Sequence, residues 1–147
     1  MFKSIVVGTD GSETAQEAVR RAIDLAKTLN GKVHLVSAYE PVSDARLREE
    51  RRDAPKDVEW QVNPREEVDN TLSEAADVAK EADVEVETYA RQGDPADAIL
   101  DVAEEQNADL IVVGNKGMTG AKRFLLGSVP NKVSHHAPSS VLIIRTT

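Results

Sequence analysis

Short apolar segments alternate with amphipathic segments along most of the chain. Five segments have the apolar pattern of β-strands, and they lie at residues 5–7, 33–38, 84–91, 110–114 and 141–144. Segments with apolar residues at helical spacing stand between them, such as the run from Ala15 to Leu29. The order β-α-β-α-β-α-β-α-β predicts a parallel sheet with helices on both of its faces.

The third and fourth strand segments differ in how their apolar residues are arranged. Residues 84–91 alternate apolar and polar side chains, which predicts a half-buried strand at or near an edge of the sheet. Residues 110–114 read Leu-Ile-Val-Val-Gly, an almost wholly apolar run. Such a run is typical of a strand that is covered on both faces.

Capping residues mark the ends of two predicted helices. Ser12 precedes the first helical run as a candidate N-cap, and Asn30-Gly31 follows that run as a stop signal. Residues 93–97 read Gly-Asp-Pro-Ala-Asp, which combines Asp at an N-cap with Pro in the first turn. We therefore expect helices to begin directly after Ser12 and after Asp94.

Residues 41–64 interrupt the alternation. The stretch from residue 46 to residue 53 reads Arg-Leu-Arg-Glu-Glu-Arg-Arg-Asp, and apolar residues are sparse throughout. We interpret this part of the chain as a long solvated excursion outside the core. A functional loop is the alternative, since long loops in compact domains often carry function.

The size and charge of the chain limit its domain count and its partners. The 147 residues predict one domain that spans residues 1–147. The sequence has 26 Asp+Glu against 18 Lys+Arg, which gives a formal net charge of -8. Such a field repels phosphate backbones, so we expect no general nucleic-acid binding. A small anionic ligand held by local backbone dipoles remains compatible with this charge.

The cysteine count and the apolar runs exclude further classes of protein. The sequence contains 0 Cys, which removes disulfides, thiolate zinc sites and cysteine nucleophiles together. No apolar run approaches the ~20 residues that a membrane span requires. The first eight residues are too short for a signal peptide, so we expect none. We expect a cytoplasmic protein with no membrane partner.

The predicted topology indicates where a ligand would bind. In open α/β sheets, ligands bind beyond the carboxyl ends of the strands, at the point where the strand order reverses. The loops after strands one, two and four are therefore the candidates. Strand one ends in Gly8-Thr9-Asp10-Gly11, and strand four ends in Gly114-Asn115-Lys116-Gly117. A crevice opens between these two loops if their connections run to opposite faces of the sheet.

The segment from Gly114 to Ser128 has the chemistry of a phosphate site. Its glycines allow a ligand to approach the backbone closely, and Gly127-Ser128 opens a helix whose N-terminus attracts anions. The same segment carries Lys116, Lys122 and Arg123 and no carboxylate. It contains neither a P-loop nor a dinucleotide-binding glycine pattern. The alternative is that these glycines serve turns alone.

Several motifs together identify a family. Gly114-x2-Gly117-x9-Gly127-Ser128 resembles the glycine pattern of the ATP-binding universal stress proteins. The opening segment, residues 7–12, and the closing His136-Ala137-Pro138 with the strand that follows it also resemble that family. The resemblance covers nearly the whole chain except residues 41–64. It implies a single open five-stranded parallel sheet of Rossmann-like α/β type, with the strand order 3-2-1-4-5.

The resemblance also implies a nucleotide site, with a role for each matching position. Asp10 would lie near the ribose or a metal ion, and the backbone of Ala38 would face the adenine edge. Ser128 would bind phosphate through its hydroxyl, with backbone N–H groups of its neighbours. The full set of implied binding residues is Gly8, Thr9, Asp10, Ala38, Val113, Gly114, Gly117, Gly127, Ser128 and Val129.

The family implies ATP as the ligand, with Mg²⁺ or Mn²⁺, and a role as a nucleotide-dependent stress-response sensor or regulator. It also implies a homodimer formed through the last strand, Val141, Leu142, Ile143 and Ile144. No nucleophile–base pair is evident, so we assign no catalytic residue. Two alternatives stay open. One is a slow ATPase or phosphotransfer enzyme in which Asp10 and a divalent ion position water. The other is a dimeric scaffold that binds no nucleotide.

Three positions depart from the family pattern. Asn115 and Lys116 stand where Ser and Arg or His are common, and Lys116 retains a positive charge that could meet phosphate. Pro130 stands where a small hydroxyl residue is common. Proline has neither an N–H nor a hydroxyl, so one phosphate contact is absent and the affinity for a triphosphate is in question.

Overall fold

Five parallel strands form the central sheet of the computed structural model, which describes residues 1–40, 63–115 and 126–145. The strands are β1 (Ser4–Gly8), β2 (Lys32–Glu40), β3 (Val86–Gln92), β4 (Leu110–Gly114) and β5 (Ser140–Ile144). They lie in the order β3-β2-β1-β4-β5, and every neighbouring pair is parallel. The predicted fold and the strand order 3-2-1-4-5 are confirmed.

Four helices cover the sheet in the described part of the chain. They are α1 (Glu13–Leu29), α2 (Arg65–Glu81), α3 (Pro95–Glu105) and α4 (Ser128–His136). The buried residues of α1 and α2 pack with one face of the sheet, and those of α3 and α4 pack with the other. We call these the first face and the second face. A helix layer on each face was the expectation from the alternating segments.

The residues that mark the helix ends are the ones that the sequence indicates. The Ser12 hydroxyl accepts a hydrogen bond from Ala15 N–H at 3.2 Å, and α1 begins at the next residue. Asn30 closes α1 in the left-handed conformation, with φ 56°. The Asp94 carboxylate accepts from Asp97 N–H at 3.0 Å, which caps α3. The Ser12 and Asp94 side chains accept hydrogen bonds from backbone N–H groups that have no acceptor within the helix. Asn30 adopts the left-handed conformation that commonly ends a helix.

The third strand lies at an edge, as its alternating pattern predicts. β3 pairs with β2 from Val86 to Gln92, and in the described residues it has no partner on its other side. The strand begins at Val86 rather than at Val84, which is buried just before it. Glu87 in the strand and Glu85 just before it are exposed, as charged residues at a sheet edge usually are.

A two-residue strand, Asn63–Pro64, adds a feature that the sequence did not indicate. It pairs in parallel with Tyr39 and the residue after it, at the end of β2. Tyr39 already pairs with Gln92 of β3 on one side, whereas the pairing of β2 with β1 ends at Val36. A strand has two hydrogen-bonding edges. The short strand pairs with the same edge of β2 as β1 does, at residues beyond the end of β1. Asn63 and Pro64 therefore lie beyond the carboxyl end of β1.

The connections after β1 and β4 run to opposite faces of the sheet. α1 follows β1 on the first face, and α4 follows β4 on the second. β1 and β4 are adjacent, so the strand order reverses between them and a crevice opens at their carboxyl ends. The condition that we set for a ligand crevice is therefore met. The described helices include none that is both long and apolar enough to cross a membrane.

Candidate functional site

The loop after β1 is held in place by its own side chains. Thr9 is buried, and its N–H donates to the Val36 carbonyl of β2 at 2.9 Å. Its hydroxyl accepts a hydrogen bond from Gly11 N–H at 3.1 Å. Thr9 thus ties the loop to the neighbouring strand and fixes the turn that follows.

Asp10 lies buried at the entrance to α1. Its Oδ1 accepts hydrogen bonds from the N–H of Ser12 at 3.0 Å and from the Ser12 hydroxyl at 2.6 Å. This is an Asx turn, the structural role that short polar residues often take before a helix. The turn accounts for one carboxylate oxygen. Our prediction that Asp10 lies near the ribose or a metal ion stays a prediction, and in the described residues no group of three His, Cys, Asp or Glu could hold a metal.

Gly11 completes the loop in a conformation that favours glycine. Its φ is +84°, and a Cβ at this position would lie 2.9 Å from the Thr71 hydroxyl of α2. The loop and α2 therefore approach each other more closely than a side chain at position 11 would allow. A cavity of about 200 Å³ adjoins this contact between α1 and α2, with Val19 and Val78 among its lining residues.

Two backbone hydrogen bonds hold the residues at the ends of the loop after β4. Asn115 N–H donates to the Ile144 carbonyl at 2.9 Å, and Gly127 N–H donates to the Asn115 carbonyl at 2.9 Å. Asn115, a departure from the family pattern, is therefore the residue that joins β5, the loop and the start of α4. The predicted site residue Gly117 and the cations Lys116, Lys122 and Arg123 lie outside the described residues.

The start of α4 points its backbone donors toward the crevice end of the sheet. Gly127 is the N-cap, and the first intrahelical hydrogen bond runs from Asn131 N–H to the Gly127 carbonyl at 3.1 Å. The N–H groups of a first helical turn have no acceptor within the helix. Pro130 occupies that turn and contributes no N–H. Ser128 is exposed, whereas Val129 is buried in the second face.

The other predicted site residues lie at the same edge of the sheet. Val7 aligns with Val112, which places Gly8 next to Val113 at the ends of β1 and β4. Ala38 lies near the end of β2, paired with Arg91 of β3. The structure therefore brings nine predicted residues to one end of three neighbouring strands and the helix that follows: Gly8, Thr9, Asp10, Ala38, Val113, Gly114, Gly127, Ser128 and Val129.

Lys132 forms an ion-pair cluster that the sequence did not reveal. Its ammonium lies 2.9 Å from Asp97 Oδ1 and 3.4 Å from Asp94 Oδ2, which links α4 to the first turn of α3. The pKa of Lys132 is raised, chiefly by the hydrogen bond to Asp97. The single positive charge of Lys132 offsets one of the two carboxylate charges at the crevice end of the sheet. The residues are more than thirty positions apart, so local spacing gives no sign of the pair.

A second polar cluster lies at the opposite end of the sheet. The Ser4 hydroxyl is 3.2 Å from His34 Nε2, a pairing of hydroxyl and imidazole that was not evident from the sequence. His34 is 3% exposed and belongs to the amino ends of the strands. This position separates the pair from the crevice.

A mutation at Gly11 tests how tightly the β1 loop packs against α2. We expect Gly11→Ala to lower the free energy of unfolding by about 1–3 kcal/mol, since it adds both an unfavourable φ and a collision. Thr71→Ala in that background should restore part of the loss, because it removes the colliding hydroxyl. Urea unfolding of the single and double variants measures both effects.

Gly93 provides the matched control. Its φ is +113°, but nothing lies within 4 Å of a Cβ there. Gly93→Ala should therefore be destabilising without any rescue by Thr71→Ala. Equal coupling of Thr71→Ala to both glycine variants, or none to either, would show that the close contact is not what requires glycine at position 11.

Comparison with known proteins gives consistent matches over the whole chain. The family model described as the universal stress protein family matches residues 1–145. A universal stress protein of Mycobacterium tuberculosis is 40% identical over 148 residues, covering 99% of this chain and 98% of that protein. Another from Methanocaldococcus jannaschii is 33% identical and covers 99% of this chain and 83% of its own length.

Solved structures of similar proteins have the same fold. A universal stress protein in complex with cAMP has a TM-score of 0.73 and 34% sequence identity, covering 99% of this chain and 98% of that one. A universal stress protein from Archaeoglobus fulgidus in complex with dAMP has a TM-score of 0.68 and 24% identity, with 98% of both chains covered. The second likeness supports the fold alone.

Proposed function

Because the chain belongs to the universal stress protein family, we propose that it binds an adenine nucleotide at the carboxyl ends of β1 and β4. The observation that carries the proposal is that the loop after β1 and the N-terminus of α4 lie at the same end of the sheet, at the point where the strand order reverses. The loop is fixed by Thr9 and Asp10. The relative that is 34% identical and in complex with cAMP supports the same ligand class.

In this proposal each part of the nucleotide has its own set of contacts. The backbone at Ala38 faces the adenine edge, and Asp10 lies near the ribose or a divalent ion. Gly8, Val113, Gly114 and Gly117 line the nucleotide. The phosphates lie at the start of α4, where Ser128 supplies its hydroxyl and Ser128 and Val129 supply backbone N–H groups. The N–H of Gly127, which we expected to bind phosphate as well, donates to the Asn115 carbonyl instead. Helix dipoles favour anions at this position even in an acidic protein.

Lys132 offsets part of the negative charge at this end of the sheet, in a chain whose formal net charge is -8. Without it, the carboxylates of Asp94 and Asp97 would lie at the crevice end of the sheet with their charges uncompensated. Lys132 is four residues from Ser128, about 6 Å along a helix axis. Lys132 therefore reduces the negative charge near the start of α4 by one unit.

Two ligands of this class are candidates, and Pro130 distinguishes them. The family resemblance implies ATP with Mg²⁺ or Mn²⁺. Pro130 removes one N–H from the first turn of α4, which favours a nucleotide with a single phosphate, including a cyclic one. We propose that the bound nucleotide regulates a stress response rather than serving as a substrate, because the described crevice residues contain no nucleophile paired with a base.

Direct calorimetry tests nucleotide binding. Titration with ATP, AMP and cAMP, with and without Mg²⁺, should give measurable heat for at least one nucleotide. Ser128→Ala should weaken binding by about 10–100-fold, the value of a hydrogen bond to a charged group. Ser134→Ala is the control, since Ser134 is exposed on the same helix and donates to the Asn131 carbonyl. Absence of heat for all three nucleotides with folded protein would refute the proposal.

Pro130→Ala tests the preference for one phosphate. The substitution returns an N–H to the third position of α4, so the affinity for ATP should rise by about 2–10-fold. The affinity for cAMP should change less, because a single phosphate needs fewer donors. Calorimetry with both nucleotides measures the ratio, and circular dichroism checks that the helix is retained. An equal change for both ligands would contradict the role assigned to Pro130.

We also propose that two copies of the chain associate through β5. Within the described part of the chain, β5 pairs with β4 alone, and its segment Val141–Ile144 is wholly apolar. Leu142 is 39% exposed there. An exposed apolar edge strand is a template for pairing with another chain, and an antiparallel pairing with a second copy would cover it.

Sedimentation velocity tests the dimer. The wild type should sediment at twice the mass of the 16.0 kDa chain. Leu142→Lys should shift it toward the monomer, because two lysines would meet across the symmetry axis. Val78→Lys is the control, since Val78 is 41% exposed on α2, away from β5. A monomeric wild type, or equal dissociation of both variants, would exclude this interface.

A further inference from the structure

A cavity of about 200 Å³ lies between α1 and α2, beside the loop that follows β1. We call it the helix cavity. Thr9 and Val19 line it and are buried, and Ala75 of α2 lines it and is half-buried. Of its described lining residues, Thr9 alone also belongs to the proposed nucleotide site; the others are Gly11 and side chains of α1 and α2. The helix cavity is therefore a separate feature on the first face.

The size and walls of the helix cavity fit an apolar group. A cavity of ~150 Å³ with apolar walls stays dry and binds benzene, so the helix cavity has room for a single ring. Val78 lies at its mouth and is 41% exposed. A ring in the cavity would cover Val78 together with Ala75, and the burial of apolar surface from both partners favours binding.

Most polar side chains of the helix cavity already have partners within the protein. Gln16 Nε2 donates to the Gly11 carbonyl at 3.3 Å. Arg20 donates two hydrogen bonds to the Glu17 carboxylate, at 2.8 and 3.1 Å. The Thr9 hydroxyl accepts from Gly11 N–H at 3.1 Å. These groups are therefore less available to a ligand than the polar groups of α2.

Two acceptors on α2 face a different situation. In the described part of the chain, neither the Thr71 hydroxyl nor the Glu74 carboxylate makes a hydrogen bond or an ion pair, and both residues line the helix cavity. They are three positions apart, so they lie on the same side of α2. A carboxylate only accepts hydrogen bonds, and a hydroxyl can accept one as well. The pair therefore fits a ligand group that donates several hydrogen bonds.

The charges at the mouth of the cavity favour a cation over an anion. Arg20 is already paired with Glu17, whereas the described residues offer Glu74 no cation. An ammonium group would give Glu74 a counter-ion. A carboxylate would instead bring a second negative charge beside Glu74, with no proton to donate to it.

We propose that the helix cavity binds a small primary amine whose apolar body has the size of a single ring. The ring lies against Val19, Ala75 and Val78, and the ammonium donates hydrogen bonds to the Thr71 hydroxyl and the Glu74 carboxylate. The apolar contact supplies most of the affinity, because solvent screens an ion pair at an exposed carboxylate. A ligand this small binds in the millimolar range.

Three ligands of similar shape test the proposal. Benzylamine, benzyl alcohol and benzoate share one ring and differ in charge at neutral pH. NMR follows the methyl signals of Val19, Thr71, Ala75 and Val78 as each compound is added. All four signals should shift along one saturation curve for benzylamine. Benzyl alcohol should bind about 2–5-fold more weakly, and benzoate should be the weakest of the three.

Glu74→Gln tests the charge. The variant should bind benzylamine about 2–5-fold more weakly than the wild type does, and it should bind benzyl alcohol as before. Glu81→Gln is the matched control, because Glu81 is exposed about two helical turns further along α2 and is not among the described lining residues. This control should change neither affinity.

Ala75→Leu tests the apolar contact. The larger side chain fills the helix cavity, so binding of all three compounds should be lost. Ala82→Leu is the control, since Ala82 is also half-buried against the same core and is not among the described lining residues. Circular dichroism confirms that both variants fold. Val78→Ser keeps the test decisive even if Ala75→Leu does not fold: the side chain is exposed, and the loss of its apolar surface should weaken benzylamine binding by about 2–10-fold.

Saturable shifts in the order amine, alcohol, acid, together with the selective losses in the variants, would support the proposal. Absence of saturation in the millimolar range, tighter binding of benzoate than of benzylamine, or equal effects of Glu74→Gln and Glu81→Gln would overturn it. None of these measurements involves a nucleotide, so their outcome is independent of the proposed function.

Discussion

The burial of β1 on both faces is the constraint on which the rest of the fold depends. Ile5 and Val7 pack against the first face, and Val6 packs against the second, each fully excluded from solvent. A strand covered on both sides needs helices above and below it. In a right-handed crossover, the face on which the helix lies is set by the side of the sheet to which the next strand is added. Helices can therefore cover both faces of β1 only if strands are added first on one side of it and then on the other. The crevice at its carboxyl end is a consequence of that reversal.

The sequence predicts those features that local spacing encodes. Ser12, Asn30 and Asp94 each act within one helical turn of themselves, so their capping roles can be identified from the residue types alone. The alternation of residues 84–91 identifies an edge strand in the same way. The strand order that the family resemblance implies, together with two glycine-containing loops, then indicates where the candidate site lies.

Contacts between distant segments could not be predicted, because their partners are fixed only by strand register and helix packing. Asn63 pairs with Tyr39 across an excursion whose composition resembles solvated chain. Lys132 meets Asp97 because α3 and α4 share the second face. His34 and Tyr89 are neighbours because β2 and β3 align in one particular register; a shift by one residue would turn Tyr89 to the other face.

Two polar clusters lie at opposite ends of α3. At the last turn of α3, Glu105 binds Arg91 of β3 at 2.7 and 2.9 Å, and the Gln106 carbonyl lies beside Ser4. At its first turn, Asp94 and Asp97 bind Lys132 of α4.

Eleven residues separate these ends, about 16 Å of helix. Sites this far apart that share no partner are close to energetically independent. α3 is the element that both clusters contact, so any dependence of one on the other requires α3 to move as a rigid body between the sheet edge and α4. The buried residues Ile99 and Val102, which anchor its middle to the second face, oppose that movement.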